Sequence, residues 1–321
     1  MQNDTNETPQ TIIATDEDAN MRLDAFLAEK IADWSRSRLQ KLIDQGDVLV
    51  NQKKAKASYK ICENDEVDIE FTTSLVQTFK PENIPLDIIF EDEDLAVINK
   101  QAGLVVHPGA GTAKGTLANA IAFHFQIQNS KLELENRAGI VHRLDKDTSG
   151  LIVVAKNEIT HEKLSDQFQK REVFKSYVAL GHGEIKTDKG TIDQPIARDR
   201  RNRVRMAIDQ KGRNALSLWK VRQHYENFTL FEIQIKTGRT HQIRVHLASI
   251  KHPVVGDEIY NGGRDKNLQN ASIMKSIAGL GRFFLHAEKL AFKHPRTDEF
   301  MKFESELPSE LQNFLDILKK R

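Results

Sequence analysis

The stretch LSLWKVRQHYENFTLFEIQI, residues 216–235, is where the fold class becomes legible. Leu216–Tyr225 and Phe228–Ile235 carry the aromatic and branched residues of strands. Glu226-Asn227 between them suits a tight turn, which makes the two strands an antiparallel hairpin. Working outward, Phe174–Leu180 and Leu151–Ala155 read as further strands, and Asp87–Ile98 as a hairpin with an acidic turn. Thr116–Phe125, Ile159–Phe168 and His241–Ile250 have helical patterns, the last stopped by Pro253. Consecutive strands with interspersed helices predict an α+β domain, 87–321, built on a mixed, largely antiparallel sheet and not a doubly wound one.

Upstream lies a smaller unit, predicted over 21–71. Leu23, Phe26, Leu27 and Ile31 space as a first helix, and Leu39, Leu42 and Ile43 as a second, stopped at Gly46. Val48–Val50 reads as a strand, 51–54 as a turn, and Val67–Phe71 as an alternating strand. Residues 72–86, with Pro81 and Pro85, read as a linker. Residues 1–20 lack periodicity and are expected to be a disordered tail.

The 321 residues are 39% hydrophobic and 29% charged, which excludes collagen-like, coiled-coil and wholly disordered chains. No apolar run approaches the roughly 20 residues of a membrane helix, and the acidic N-terminus shows no secretory signal. The lone Cys62 makes neither an internal disulfide nor a multi-cysteine zinc site, so a cytoplasmic protein without a membrane partner is expected. The net charge of +1 conceals a pattern. Residues 21–60 carry nine bases against five acids, 61–94 eleven acids against one base, and 195–225 nine bases against two acids. One basic block alone reads equally as a solvated face; two favour a polyanionic partner.

The most unusual segment is GIVHRLDKDTSGLIVVA, residues 139–155. Asp145 and Asp147 flank a lysine, Arg143 precedes them, and Ser149-Gly150 leads into an apolar strand. From physics alone two readings stand side by side. A charged loop on a rigid strand is where active-site groups sit; equally, two aspartates there cap a structural turn.

HRLDKDTSG (142–150) resembles the signature of the RluA-type pseudouridine synthases. INKQAGLVVHPGAG (98–111), FKSYVAL (174–180), TGRTHQIRVHLA (237–248), HPVVGD (252–257) and FLHA (284–287) follow in the family's order. Residues 21–70, with SRSRLQKLIDQGDVLVN, resemble the S4 RNA-binding module, which commonly precedes that domain. SRSRLQ and IPLDIIFEDEDLAVINK further resemble the branch acting on large-subunit ribosomal RNA.

The resemblance implies an isomerase that breaks the N-glycosidic bond of a uridine in RNA, rotates the base and rejoins it through carbon, consuming no cofactor and using no metal. Asp145 matches the family's essential catalytic carboxylate, Tyr177 its active-site tyrosine and Arg244 the arginine that pairs with the aspartate. Leu285 matches an apolar residue of the base pocket, and Arg143 the side chain that fills the space left by the extruded base; His142 is expected to support the site. The S4 likeness turns Arg36, Arg38, Lys41, Lys53 and Lys54 toward RNA, and Arg200, Arg201 and Arg203 of a basic loop read as a phosphate grip. A monomer is expected. Gln101 stands where the family has proline, which predicts extra local freedom. Two other classes fit parts of the chain: a magnesium-dependent phosphotransferase, because Asp145–Thr148 is also D-x-D-x-T, and an RNA-binding assembly factor without catalysis.

Overall fold

A computed structural model of the chain describes residues 10–31, 36–69, 80–108, 112, 114–128, 139–202 and 204–319. The chain divides into two compact units, Met1–Thr78 and Phe79–Arg321.

In the first unit, β1 (Gln10–Ile13), α1 (Leu23–Lys30), α2 (Arg36–Gln45), β2 (Val48–Val50), β3 (Lys53–Lys54) and β4 (Glu66–Ile69) surround one core. The antiparallel sheet runs β1-β4-β2-β3. Leu23, Phe26 and Leu27 of α1 and Leu39, Leu42 and Ile43 of α2 are buried on Val48, Val50, Val67 and Ile69, as the spacing predicts. The turn is narrower than expected: Asn51 and Gln52 alone take positive φ, 49° and 62°, and Lys53 already pairs with Val50. The expected tail needs a larger correction. Gln10–Ile13 pairs in register with Glu66–Ile69, and Ala14 is buried in the core. A four-residue strand is too short to show periodicity, and its partner lies more than fifty residues away. Residues 1–9 and the linker residues 72–79 lie outside the described residues.

The second unit contains β5 (Ile88–Glu91), β6 (Leu95–Lys100), α3 (Leu117–Gln128), β7 (Ser149–Ala155), α4 (Glu158–Lys170), β8 (Phe174–His182), β9 (Lys189–Asp193), β10 (Ile196–Arg198), β11 (Met206–Ile208), β12 (Leu216–Tyr225) and β13 (Phe228–Ile235). There follow α5 (Gln242–Ser249), α6 (Ala271–Leu280), β14 (Leu285–Lys293), β15 (Phe300–Glu304) and α7 (Ser309–Lys319). The main sheet runs β5-β6-β7-β14-β8-β13-β12-β9, with β15 on β14. Every pairing is antiparallel except the short β7–β14 contact, so the fold is α+β with a largely antiparallel sheet. The β12–β13 hairpin closes Tyr225 on Phe228, with Asn227 at φ 65° in the turn.

All of β7 is buried because it has a core on each face. Ile152 and Val154 pack with α3 and the larger cluster; Leu151, Val153 and Ala155 pack with Leu164 of α4. Gly150, at φ 113°, lets β7 meet β14: an added Cβ would stand 2.2 Å from the Ala287 carbonyl oxygen. The β7–β14 junction thereby sets the loop before β7 close to the start of β14.

Candidate active site

Asp145 lies in the turn that feeds β7, where the Thr148 amide donates to the Asp145 carbonyl at 3.1 Å. Its carboxylate meets an arginine delivered by α5. Gln242 Nε2 donates to the Leu216 carbonyl, and His246 Nδ1 lies 2.9 Å from Ser217 Oγ, so one side of α5 is fastened to β12. Arg244, midway between them, stands about 200° round the helix from Gln242 and faces the other way. Its Nη1 donates to Asp145 Oδ2 at 3.2 Å, while Nε and Nη2 donate to Asp257 at 2.6 and 2.9 Å. Its guanidinium lies 4.3 Å from the Phe283 ring centre.

Burial alone would lower the Arg244 pKa, but the hydrogen bonds and charge of Asp257, and then Asp145, raise it overall. The two acids are held unequally. Asp257 is fully buried, takes both parallel bonds and accepts the Ile259 amide at 3.1 Å as well. Asp145 takes one longer bond, and its Oδ1 has no protein donor among the described residues. That arrangement orients the carboxylate with one oxygen available to a substrate. It suits nucleophilic attack or proton acceptance.

Asp145, Arg143, Asp147, His241 and Arg244 line one cavity of about 1360 Å³, larger than the 300–1,000 Å³ typical of small-molecule sites. Tyr177 and Leu285 are buried in the adjoining core and do not line it, because both sit on central strands. Burial, and secondarily the Asp145 charge, push the Tyr177 phenol well above its ordinary pKa. His142 departs from the expectation. Its Nε2 accepts the Val153 amide at 3.1 Å and its ring stacks on Phe168 at 4.5 Å, on the α4 side of β7. Desolvation there lowers it to about 3.

Lys100 was not singled out by sequence. It is 1% exposed and donates to the carbonyls of Gln101, Leu104 and Lys146 at 2.9, 3.0 and 3.0 Å. Those three bonds fasten the loop after β6, where Gln101 stands, to the Asp145 loop. Asp257 was also left without a role, although HPVVGD contains it.

The RNA-facing expectations divide. Lys53, Lys54, Arg200 and Arg201 are exposed. Arg36 is exposed too, while its Nη2 donates at 3.0 Å to both oxygens of the buried Asp24, which also binds Arg22. The side chains of Arg38 and Lys41, and the whole of Arg203, lie outside the described residues. A cluster of Asp92, Asp94 and His294 has ligand atoms within 4.8 Å of one another. His294 Nδ1 accepts the Arg296 and Thr297 amides, so Nε2 carries the proton and donates to Asp92, while Arg296 neutralises Asp94. The cluster is an ion-pair network. No helix among the described residues is long and apolar enough to cross a membrane.

The profile of the RNA pseudouridylate synthase family matches residues 94–249, and that of the S4 domain residues 21–67. An uncharacterized RNA pseudouridine synthase of Bacillus subtilis is 42% identical, covering 96% of this chain and 98% of its own. This chain belongs to the RNA pseudouridine synthase family. Ribosomal large subunit pseudouridine synthase D of Pasteurella multocida is 41% identical over 93% of this chain and 91% of its own. The human RNA pseudouridylate synthase domain containing 4 shares the fold, with a TM-score of 0.58 at 24% identity over 73% of this chain and 93% of its own. The protein is therefore an isomerase with an S4 domain, and the phosphotransferase reading of Asp145–Thr148 falls. Within this pseudouridine synthase the Asp145–Arg244–Asp257 system joins one residue from each of the segments 142–150, 237–248 and 252–257.

Proposed function

We propose that the chain converts uridines of large-subunit ribosomal RNA to pseudouridine, with Asp145 as the essential carboxylate. The observation that carries this is the single Arg244 contact on Asp145 at 3.2 Å, backed by the fully buried Asp257, at the wall of a cavity. The identity of the substrate rests on the relatives named as large-subunit enzymes.

In this reading the target uridine leaves its stack and enters the cavity, at an unstacking cost of a few kcal/mol. The exposed Arg143 at the cavity wall fills the vacated space. Asp145, oriented by Arg244, acts at the sugar–base junction. The glycosidic bond to N1 breaks, the base turns, a bond forms from the sugar to C5, the C5 hydrogen leaves as a proton and N1 takes one up. Atoms balance without any cofactor. Tyr177, whose phenol keeps its proton strongly, lies in the core behind the cavity, within reach of the Asp145 charge. Lys53, Lys54, Arg200 and Arg201 contribute phosphate contacts, and the chain works as a cytoplasmic monomer.

The test is release of tritium from C5 of uridine in large-subunit ribosomal RNA, with and without EDTA. EDTA-tolerant release by wild type and none by Asp145→Asn is the expected result. Absence of release from both naked RNA and isolated subunits would refute the substrate, and tight binding without release would favour an assembly factor.

A further inference from the structure

Tyr260 lies between the basic hairpin and the catalytic arginine, and no part of the reaction above uses it. It is 7% exposed and packs with Ile196, Met206 and Ile208 of the β10–β11 hairpin and with Val245 and Ala248 of α5. Its hydroxyl accepts the Met206 amide at 2.7 Å. The same hydroxyl makes a second hydrogen bond, with His241 Nδ1 2.9 Å away. Two arginines lie near the ring: Arg244 at 5.0 Å and Arg205, from the basic run, at 5.3 Å. The hairpin loop reaches the active-site cavity through Val204, which is 73% exposed yet lines it.

We infer that Tyr260 is a positioning residue that ties the basic β10–β11 hairpin to α5, so that phosphate contacts made by the hairpin and the alignment of Arg244 form one unit. A hairpin of three-residue strands has little stability of its own. Its arginines add useful affinity only if the loop is already fixed when RNA arrives. Tyr260 supplies that fixing through one hydroxyl and one ring, and transmits it to the helix that carries Arg244. The inference rests on RNA being the ligand.

The probe is a fluorescein-labelled transcript of large-subunit ribosomal RNA, titrated with the full chain across a salt series. Tyr260→Phe keeps the ring and removes both hydroxyl bonds. It should weaken binding about fivefold, the effect of losing the one bond that reaches the hairpin. The slope of log affinity against log salt should shrink by about 0.7 for each phosphate that the hairpin no longer neutralises. A variant with Arg200→Gln and Arg201→Gln should do the same, and combining it with Tyr260→Phe should add less than twofold. Wild-type affinity and slope in Tyr260→Phe, or effects that multiply in the combination, would overturn the inference. If Tyr260→Phe does not fold, amide exchange in the wild-type chain decides: a protected Met206 amide supports the link, and exchange at the free-peptide rate removes it. Wild-type tritium release separates the two readings, since its loss would sink the proposed reaction and leave these binding results standing.

Discussion

Asp24 and Asp257 are both fully buried carboxylates held by arginine, one in each unit, yet they lead to different ends. Asp24 collects Arg22, Arg36 and Gln40. Among the described residues its arginines serve no second acid, and they join the start of α1 to α2. Asp257 takes two of the Arg244 nitrogens and leaves Nη1 for Asp145. The same pairing is a brace in one unit and a lever in the other. What separates them is whether one guanidinium nitrogen still faces a carboxylate on a cavity wall. A buried ion pair is weak evidence of function until that remaining contact is found.

That comparison can be broken experimentally. Arg244→Lys should cost the most, roughly 10²–10³-fold in kcat, because an ammonium cannot bridge two acids with a fixed fork. Single-turnover tritium release checks it, and a loss confined to KM would mean that the arginine only binds RNA. Asp257→Asn comes next, at roughly 10²-fold, as Arg244 turns its paired nitrogens onto Asp145. Asp24→Asn should leave kcat within about twofold while lowering the melting of the first unit by about 5–10 °C, the scale of a kcal/mol or so in a small domain. Differential scanning calorimetry distinguishes it from Asp257→Asn, which should act on the second unit.

The smallest effect concerns acid. All eleven histidines lie in Phe79–Arg321, and burial lowers His286 to about 4 and His142 to about 3. As pH falls from about 6.5 toward 4, the unfolded chain binds protons that these folded imidazoles refuse, so this unit loses stability there. The first unit has no histidine. Although burial opposes it, the hydrogen bonds from Arg22, Gln40 and Arg36 hold Asp24 well below the ordinary carboxylate range. Its contribution is therefore present above about pH 4 and fades only as pH drops below that. Melting at pH 7 and pH 5 should move the second transition and not the first; equal movement of both would count against the contrast.

Long strands with one apolar character were legible, as β7, β8, β12 and β13 show. β14 was not, because His286 and Glu288 interrupt its apolar run; Ser149 and Arg222 satisfy them, from far along the chain. β1 was missed for the same reason, since its partner is β4. In the site, motif likeness selected Asp145 and Arg244, and the structure brings them together. It gave no hint that the exposed Arg36 binds Asp24, because an acid twelve residues earlier looks like surface charge until α1 and α2 are packed. Asp257 and Lys100 act through loops held by backbone carbonyls and amides, and no spacing rule records such partners.

The most direct measurement is the single-turnover rate of tritium release with enzyme in excess over labelled ribosomal RNA, comparing wild type with Asp145→Asn. Saturation removes binding from the comparison. A fall of roughly 10³-fold or more, with RNA affinity kept within a few-fold, is the predicted result. A rate near that of wild type would show that the carboxylate held by Arg244 is not the one that does the chemistry.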